Sequence, residues 1–247
     1  MAATPEKLYR AHVYNLRAVS SSFDCILREL NGNLARKNVT TSDALLKTAM
    51  LLLGAWAENR LRKLVFEPNG FTAVERSRID AAITQLECWK CALELGFRRR
   101  HQLPYAHLEA ALPITSRARY QILYDILNND LRPVIEARNK LAHGQWIRPL
   151  NNSNDDFSPH IAASINGENA LTVKSKKRIL ESLARLIHDL VAGNDAFERD
   201  FDTHYQSLEN AKRDITTRSY DKWLLAMTSK YERGRQTRNQ WSGRIRP

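Results

Sequence analysis

Cysteine is scarce: three in 247 residues, an odd number, cannot supply a disulfide framework and fits a reducing compartment. Nine glycines and eight prolines leave little of the turn chemistry that a many-stranded β protein needs. Long apolar runs are missing too. Ala49-Met50-Leu51-Leu52-Leu53-Gly54-Ala55-Trp56-Ala57 is about half of the ~20 residues of a membrane span and reads as a buried helix, so no membrane partner is expected. Met1-Ala2-Ala3-Thr4-Pro5-Glu6-Lys7 lacks the basic and apolar regions of a signal peptide, so the expected location is cytoplasmic. Acidic charge is the last shortage. Twenty-seven Asp and Glu face 38 Lys and Arg, a net charge of +11 and a pI near 9.8. Such an excess attracts phosphate polymers through counterion release; it also suits an acidic protein partner, or simply keeps a protein in solution.

What is present is helical periodicity, and the expected class is all-α. A first helix is expected from Lys7 to about Leu30, ended by Asn31-Gly32-Asn33, and a second from the Ser42-Asp43 cap to Val65 or Phe66. Thr72-Ala73-Val74-Glu75 matches a capping box, opening a third helix that should reach Gly96. A short helix over Tyr105 to Ala111 and another from Ser116 to Leu127 follow. The next should begin near Asn129-Asp130, with Pro133 in its first turn, and end at His143 with Gly144 as the left-handed residue beyond. After a polar loop at Asn151-Asn152-Ser153-Asn154-Asp155-Asp156, Ile161 to Ile165, the Asn166-Gly167 turn and Leu171 to Val173 suggest a small β-hairpin. A long helix should occupy Lys176 to about Leu208, weakened at Gly193-Asn194. The expected organisation is a bundle over 1–210, with the hairpin inserted near 145–175, and a basic C-terminal extension over 211–247. That extension carries one apolar cluster around Trp223 and a basic, disordered tail from Lys230 that includes Trp241.

The chemically pointed stretch is Glu136-Ala137-Arg138-Asn139-Lys140-Leu141-Ala142-His143-Gly144. Arg138 and His143 form a minimal kit for metal-free phosphodiester chemistry, because His moves a proton while Arg holds the phosphate. On an ideal helix Asn139 and His143 share a face, whereas Arg138 and His143 differ by roughly 140° around the axis, so Arg138 must reach around or the helix end must loosen. Asn139 is placed to orient His143 or the substrate. RNA cleaves itself once its 2′-OH loses a proton and its leaving 5′-oxygen gains one, so two acid–base groups are useful. The motif supplies one per chain, and a symmetric dimer would supply two. The plain structural alternative is a capped helix end, with His143 on the last carbonyls and Arg138 paired with Glu136 or a neighbouring helix.

Arg138-Asn139-Lys140-Leu141-Ala142-His143 resembles the signature of the HEPN superfamily (higher eukaryotes and prokaryotes nucleotide-binding): Arg, four to six residues, then His, often with a polar residue directly after the Arg. The resemblance implies an all-helical bundle that dimerises through the motif helix. It also implies a metal-independent ribonuclease of prokaryotic toxin–antitoxin or antiphage defence systems, with RNA as substrate, an antitoxin or defence-system partner, and no cofactor. Arg138, Asn139 and His143 would be catalytic, and Glu58 would be the supporting acid of an early helix. One HEPN subset carries a Tyr three residues after the His as a site of AMP modification; this chain has Trp146 there, which argues against that regulation. The alternative within the same family is a non-catalytic module that binds RNA or a nucleotide, or an antitoxin-like partner.

Lys140, the run Arg98-Arg99-Arg100 and the pair Lys176-Lys177 are the candidate phosphate contacts, should they converge on the motif helix; solvated helix ends are the competing reading. Cys88-Trp89-Lys90-Cys91 with His101 and His107 offers four zinc-type ligands at a spacing of no common zinc module, inside a helical pattern, so no metal site is expected. His188 and His204 read as surface or core residues. A scaffold whose basic tail docks an acidic protein is the third functional reading.

Overall fold

A computed structural model describes residues 3–104, 107–193 and 195–244, with side chains to 237. Helices α1 (Pro5–Ala35) and α2 (Val39–Val65) form an antiparallel hairpin. Thr4 caps α1 through the Lys7 amide, and Asn38 caps α2 through the Thr41 amide, a stronger start than the expected Ser42-Asp43. The expected single helix over 72–96 is two, α3 (Ala73–Asp80) and α4 (Gln85–His101). The Thr72–Glu75 capping box forms as expected, and Thr84 opens α4 by accepting from the Glu87 amide at 3.1 Å. Of the short helix expected from Tyr105, the first two residues lie outside the described residues, and α5 covers Leu108–Ala111.

Helices α6 (Ile114–Ile126) and α7 (Arg132–Ala142) are continuous through one π turn, Leu127–Leu131, so the motif helix does not begin afresh at Asn129. Pro133 explains the wide turn. It brings no N–H and its ring crowds the carbonyl four residues back, and the chain passes it by stepping to a five-residue bond from the Arg132 amide to the Leu127 carbonyl.

The β-hairpin is not there. Residues 159–166 form α8 (Pro159–Asn166), Gly167 caps its end, and α9 (Ala170–Ala192) begins behind an Asn169–Thr172 capping box. Among the described residues the β pairing is limited to an isolated bridge between Leu150 and Phe157. The long helix expected over 176–208 breaks at Gly193 into α9 and α10 (Ala196–Thr217), which fold back on each other; Asn194 lies outside the described residues. Helix α10 runs through position 210, and α11 (Tyr220–Arg244) then lies along α1, its Tyr231 hydroxyl donating to the Arg28 carbonyl at 3.3 Å. The stretch expected to be a disordered tail is therefore helical to Arg244, while the Trp241 side chain lies outside the described ones.

The core centres on α2, which touches α1, α4, α7 and α9. Its uncharged run buries Ala49, Met50, Leu53, Trp56 and Ala57, and α9, which packs on α2 among other helices, buries Val173, Leu180, Leu183, Leu186 and Ile187. No helix among the described residues is long and apolar enough to cross a membrane.

Candidate functional site

Helix α7 buries Val134, Ile135, Ala137 and Leu141 and thereby fixes where the polar residues between them lie. Arg138 falls against α2 at Gly54. A Cβ added to Gly54 would come within 2.5 Å of the Arg138 Cγ, so the missing side chain is what lets the Arg138 stem lie there. One turn further along α2 stands Glu58, whose Oε2 accepts from Arg138 Nη2 at 2.6 Å. A second guanidinium nitrogen, Nη1, donates to Asn139 Oδ1 at 3.1 Å. Arg138 thus pairs across to α2 rather than with Glu136, and both groups remain partly open to solvent.

His143 is the residue at which α7 stops, and Gly144 follows with φ +75°. The last carbonyls are taken by main chain in a Schellman pattern, Gln145 N–H to Lys140 at 2.9 Å and Gly144 N–H to Leu141 at 3.1 Å, with Trp146 Nε1 also donating to Leu141 at 2.9 Å. The helix end is therefore satisfied without the imidazole. His143 is exposed and makes no side-chain hydrogen bond among the described residues, which removes the capping role from the plain structural alternative. Trp146 is a half-buried brace of this turn.

His143 opens on a cleft of ≈ 1210 Å³ walled by the start of α4, one face of α7 from Arg132 to its end, the loop over 145–158 and the start of α8. Asn139 and Lys140 line it with His143, while Arg138 points the other way, onto α2. The offset of Arg138 from His143 expected from helix geometry is kept, and Asn139 links the two by touching Arg138 and lining the cleft.

The other candidate phosphate contacts do not converge here. Arg98, Arg99 and Arg100 end α4, about 18 Å along the helix from its cleft-lining Glu87. They are also engaged: Arg98 with Glu94 at 2.8 Å, Arg99 with the Gly70 carbonyl, and Arg100 with Glu198 at 3.1 Å. Lys177 is buried, 4.2 Å from the centre of the Trp56 ring and ion-paired with Glu181, so it reaches no phosphate. Lys176 pairs with Glu168. Lys140 alone of the set sits at the motif, its Nζ 3.3 Å from the Asn151 carbonyl.

Cys88 and Cys91 lie in α4, where burial pushes both thiols up, as suits small packed side chains rather than nucleophiles. Among the described residues no group of three or more His, Cys, Asp or Glu side chains is gathered to hold a metal. His188 and His204 belong to a polar cluster at the far end of α2: His188 lies 3.6 Å from Glu67, and the two rings lie 3.1 and 3.5 Å from Asp189.

Two neighbours of the site escaped the sequence reading. Gly54 was read only as part of an apolar run, although a glycine in mid-helix is itself a sign of close helix contact. His160 lines the same cleft as His143; the Pro159-His160 pair carried a helix-start signal that the hairpin reading of the next residues hid. The chain matches no family model, no curated protein and no solved structure.

Proposed function

We propose that this protein is a metal-independent endoribonuclease of the HEPN type, a toxin or antiphage effector in which two copies of the motif helix meet in a dimer. The observation that carries the reading is the His143 imidazole, left unused by the fold and facing an open cleft beside Asn139 and Lys140, at the end of a helix whose Arg138 is held by Glu58 and Asn139. His143 moves the proton and Asn139 orients, while Arg138, set by Glu58 on the α2 side of the helix, offsets charge on the pentacoordinate phosphorus across the dimer, from the other copy of the motif helix. The +11 charge supports RNA as the partner by raising its encounter rate. Purified protein is expected to cleave single-stranded RNA in EDTA, and His143→Ala to abolish cleavage; an equally active variant sinks the reading.

The Arg138–Glu58 ion pair favours a second reading, a HEPN-like module that binds RNA or a nucleotide without cutting it, since a guanidinium already neutralised has less to offer a phosphate. Gel shifts and cleavage assays on wild type and Arg138→Ala, run side by side, separate the two: salt-dependent binding with no product identifies the inert module.

A further inference from the structure

The cleft that holds His143 holds a second imidazole, His160, from the first turn of α8. Both rings are exposed, and neither makes a side-chain hydrogen bond or ring contact among the described residues, so neither has a structural task. His160 is nonetheless firmly placed. The loop that carries it is pinned to the motif helix by Lys140 on the Asn151 carbonyl. Within the loop, the Gln145 Oε1 accepts from the Leu150 amide at 2.8 Å. The loop then closes on itself through the Leu150–Phe157 bridge and the Ser158 amide on the Pro149 carbonyl at 2.8 Å. Arg132 and Lys140 on the cleft wall are matched in number by Glu87 and Glu136. Asn139, Asn152 and Asn154 add amide donors and acceptors suited to unpaired base edges.

We infer that His143 and His160 of one chain are the acid–base pair of this cleft, acting on single-stranded RNA; this rests on the ribonuclease reading and moves the second proton-transfer group from the partner's motif into the same protomer. One neutral imidazole takes the 2′-OH proton as the 2′-oxygen bonds to phosphorus. The other, as imidazolium, gives its proton to the 5′-oxygen as the P–O5′ bond breaks. The products are a 2′,3′-cyclic phosphate and a free 5′-OH. One proton is taken and one given, and no water or metal is consumed.

The test uses the full chain and a fluorescent single-stranded RNA oligonucleotide in EDTA. Wild type should leave a 2′,3′-cyclic end with a bell-shaped pH profile. His143→Ala and His160→Ala should each lower the rate about 10²-fold or more and each remove one limb of the bell, with helix content by circular dichroism unchanged. Mixing the two variants should restore nothing, because no mixed dimer contains an intact pair within one chain. Recovery to about a quarter of wild-type activity on mixing, the statistical yield of half-restored mixed dimers, shows pairing between chains and overturns the inference. His160→Ala at wild-type rate beside an inactive His143→Ala overturns it too while leaving the ribonuclease reading standing. Wild type without cleavage defeats both.

Discussion

Arg138 is placed by what Gly54 lacks. Gly→Ala in mid-helix ordinarily gains up to about 1 kcal/mol of helix propensity, but here the added carbon would collide with the Arg138 stem. Gly54→Ala is therefore expected to destabilise, by about 1–3 kcal/mol as overpacked sites do, visible as a lower denaturant midpoint, and to displace Arg138 from Glu58. A stabilised Gly54→Ala protein would show that α2 and α7 can move apart. Of the candidate site residues, Arg138, Asn139, His143 and Glu58 were legible as types in a pattern. The Arg138–Glu58 pairing at 80 residues' separation rests in the sequence on resemblance alone, because only the crossing of α2 and α7 creates the contact.

At the scale of elements, the motif helix ended where its residues said it would, because Gly144 adopts φ +75° and closes the Schellman turn. An added Cβ there meets nothing within 4 Å, so Gly144→Ala isolates the backbone cost. About 1 kcal/mol of lost stability is expected by thermal or denaturant unfolding, together with a loosened His143 and, on the proposed ribonuclease reading, a lower cleavage rate. The same chemistry misled elsewhere. Asn166-Gly167 signals a hairpin only if both residues take positive φ; Gly167 instead has φ −76° and closes α8, an end that Asn and Gly serve equally well. Thr84 and Glu87 carry the spacing of a helix start within a pattern that otherwise reads as unbroken, which is how one expected helix became two. The wide turn at Leu127–Leu131 follows from Pro133, yet whether a proline begins a helix or is bypassed within one depends on packing on both sides of it.

Across the whole molecule, the end of α2 opposite the cleft is tied together by charge. Burial alone would raise the Glu67 carboxyl, but His188 at 3.6 Å and the hydrogen bonds from Lys63 and Tyr9 outweigh it and hold the group at about 2. A carboxyl depressed on folding stabilises above its unfolded value and loses that contribution as pH falls through its folded one. Stability is thus expected to decline between about pH 4.5 and pH 2, by about 1–2 kcal/mol after solvent screening. Glu67→Gln should flatten that part of a denaturation-midpoint series and lower the midpoint at neutral pH. An unchanged acid slope would put the acid sensitivity elsewhere.

The sequence by itself determined the all-α class and a few helix ends, among them the Thr72–Glu75 capping box and the stop at His143-Gly144, because periodicity, caps and left-handed glycines act over a few residues and are written where they act. It also set the +11 charge, which needs no fold. The tertiary structure alone decided which charges are free. It buried Lys177 on Trp56, engaged Arg98, Arg99 and Arg100 at the far end of α4, and brought His160 to the cleft of His143 across a pinned loop. Such outcomes depend on how helices far apart in the chain cross and pack, and no local pattern encodes that.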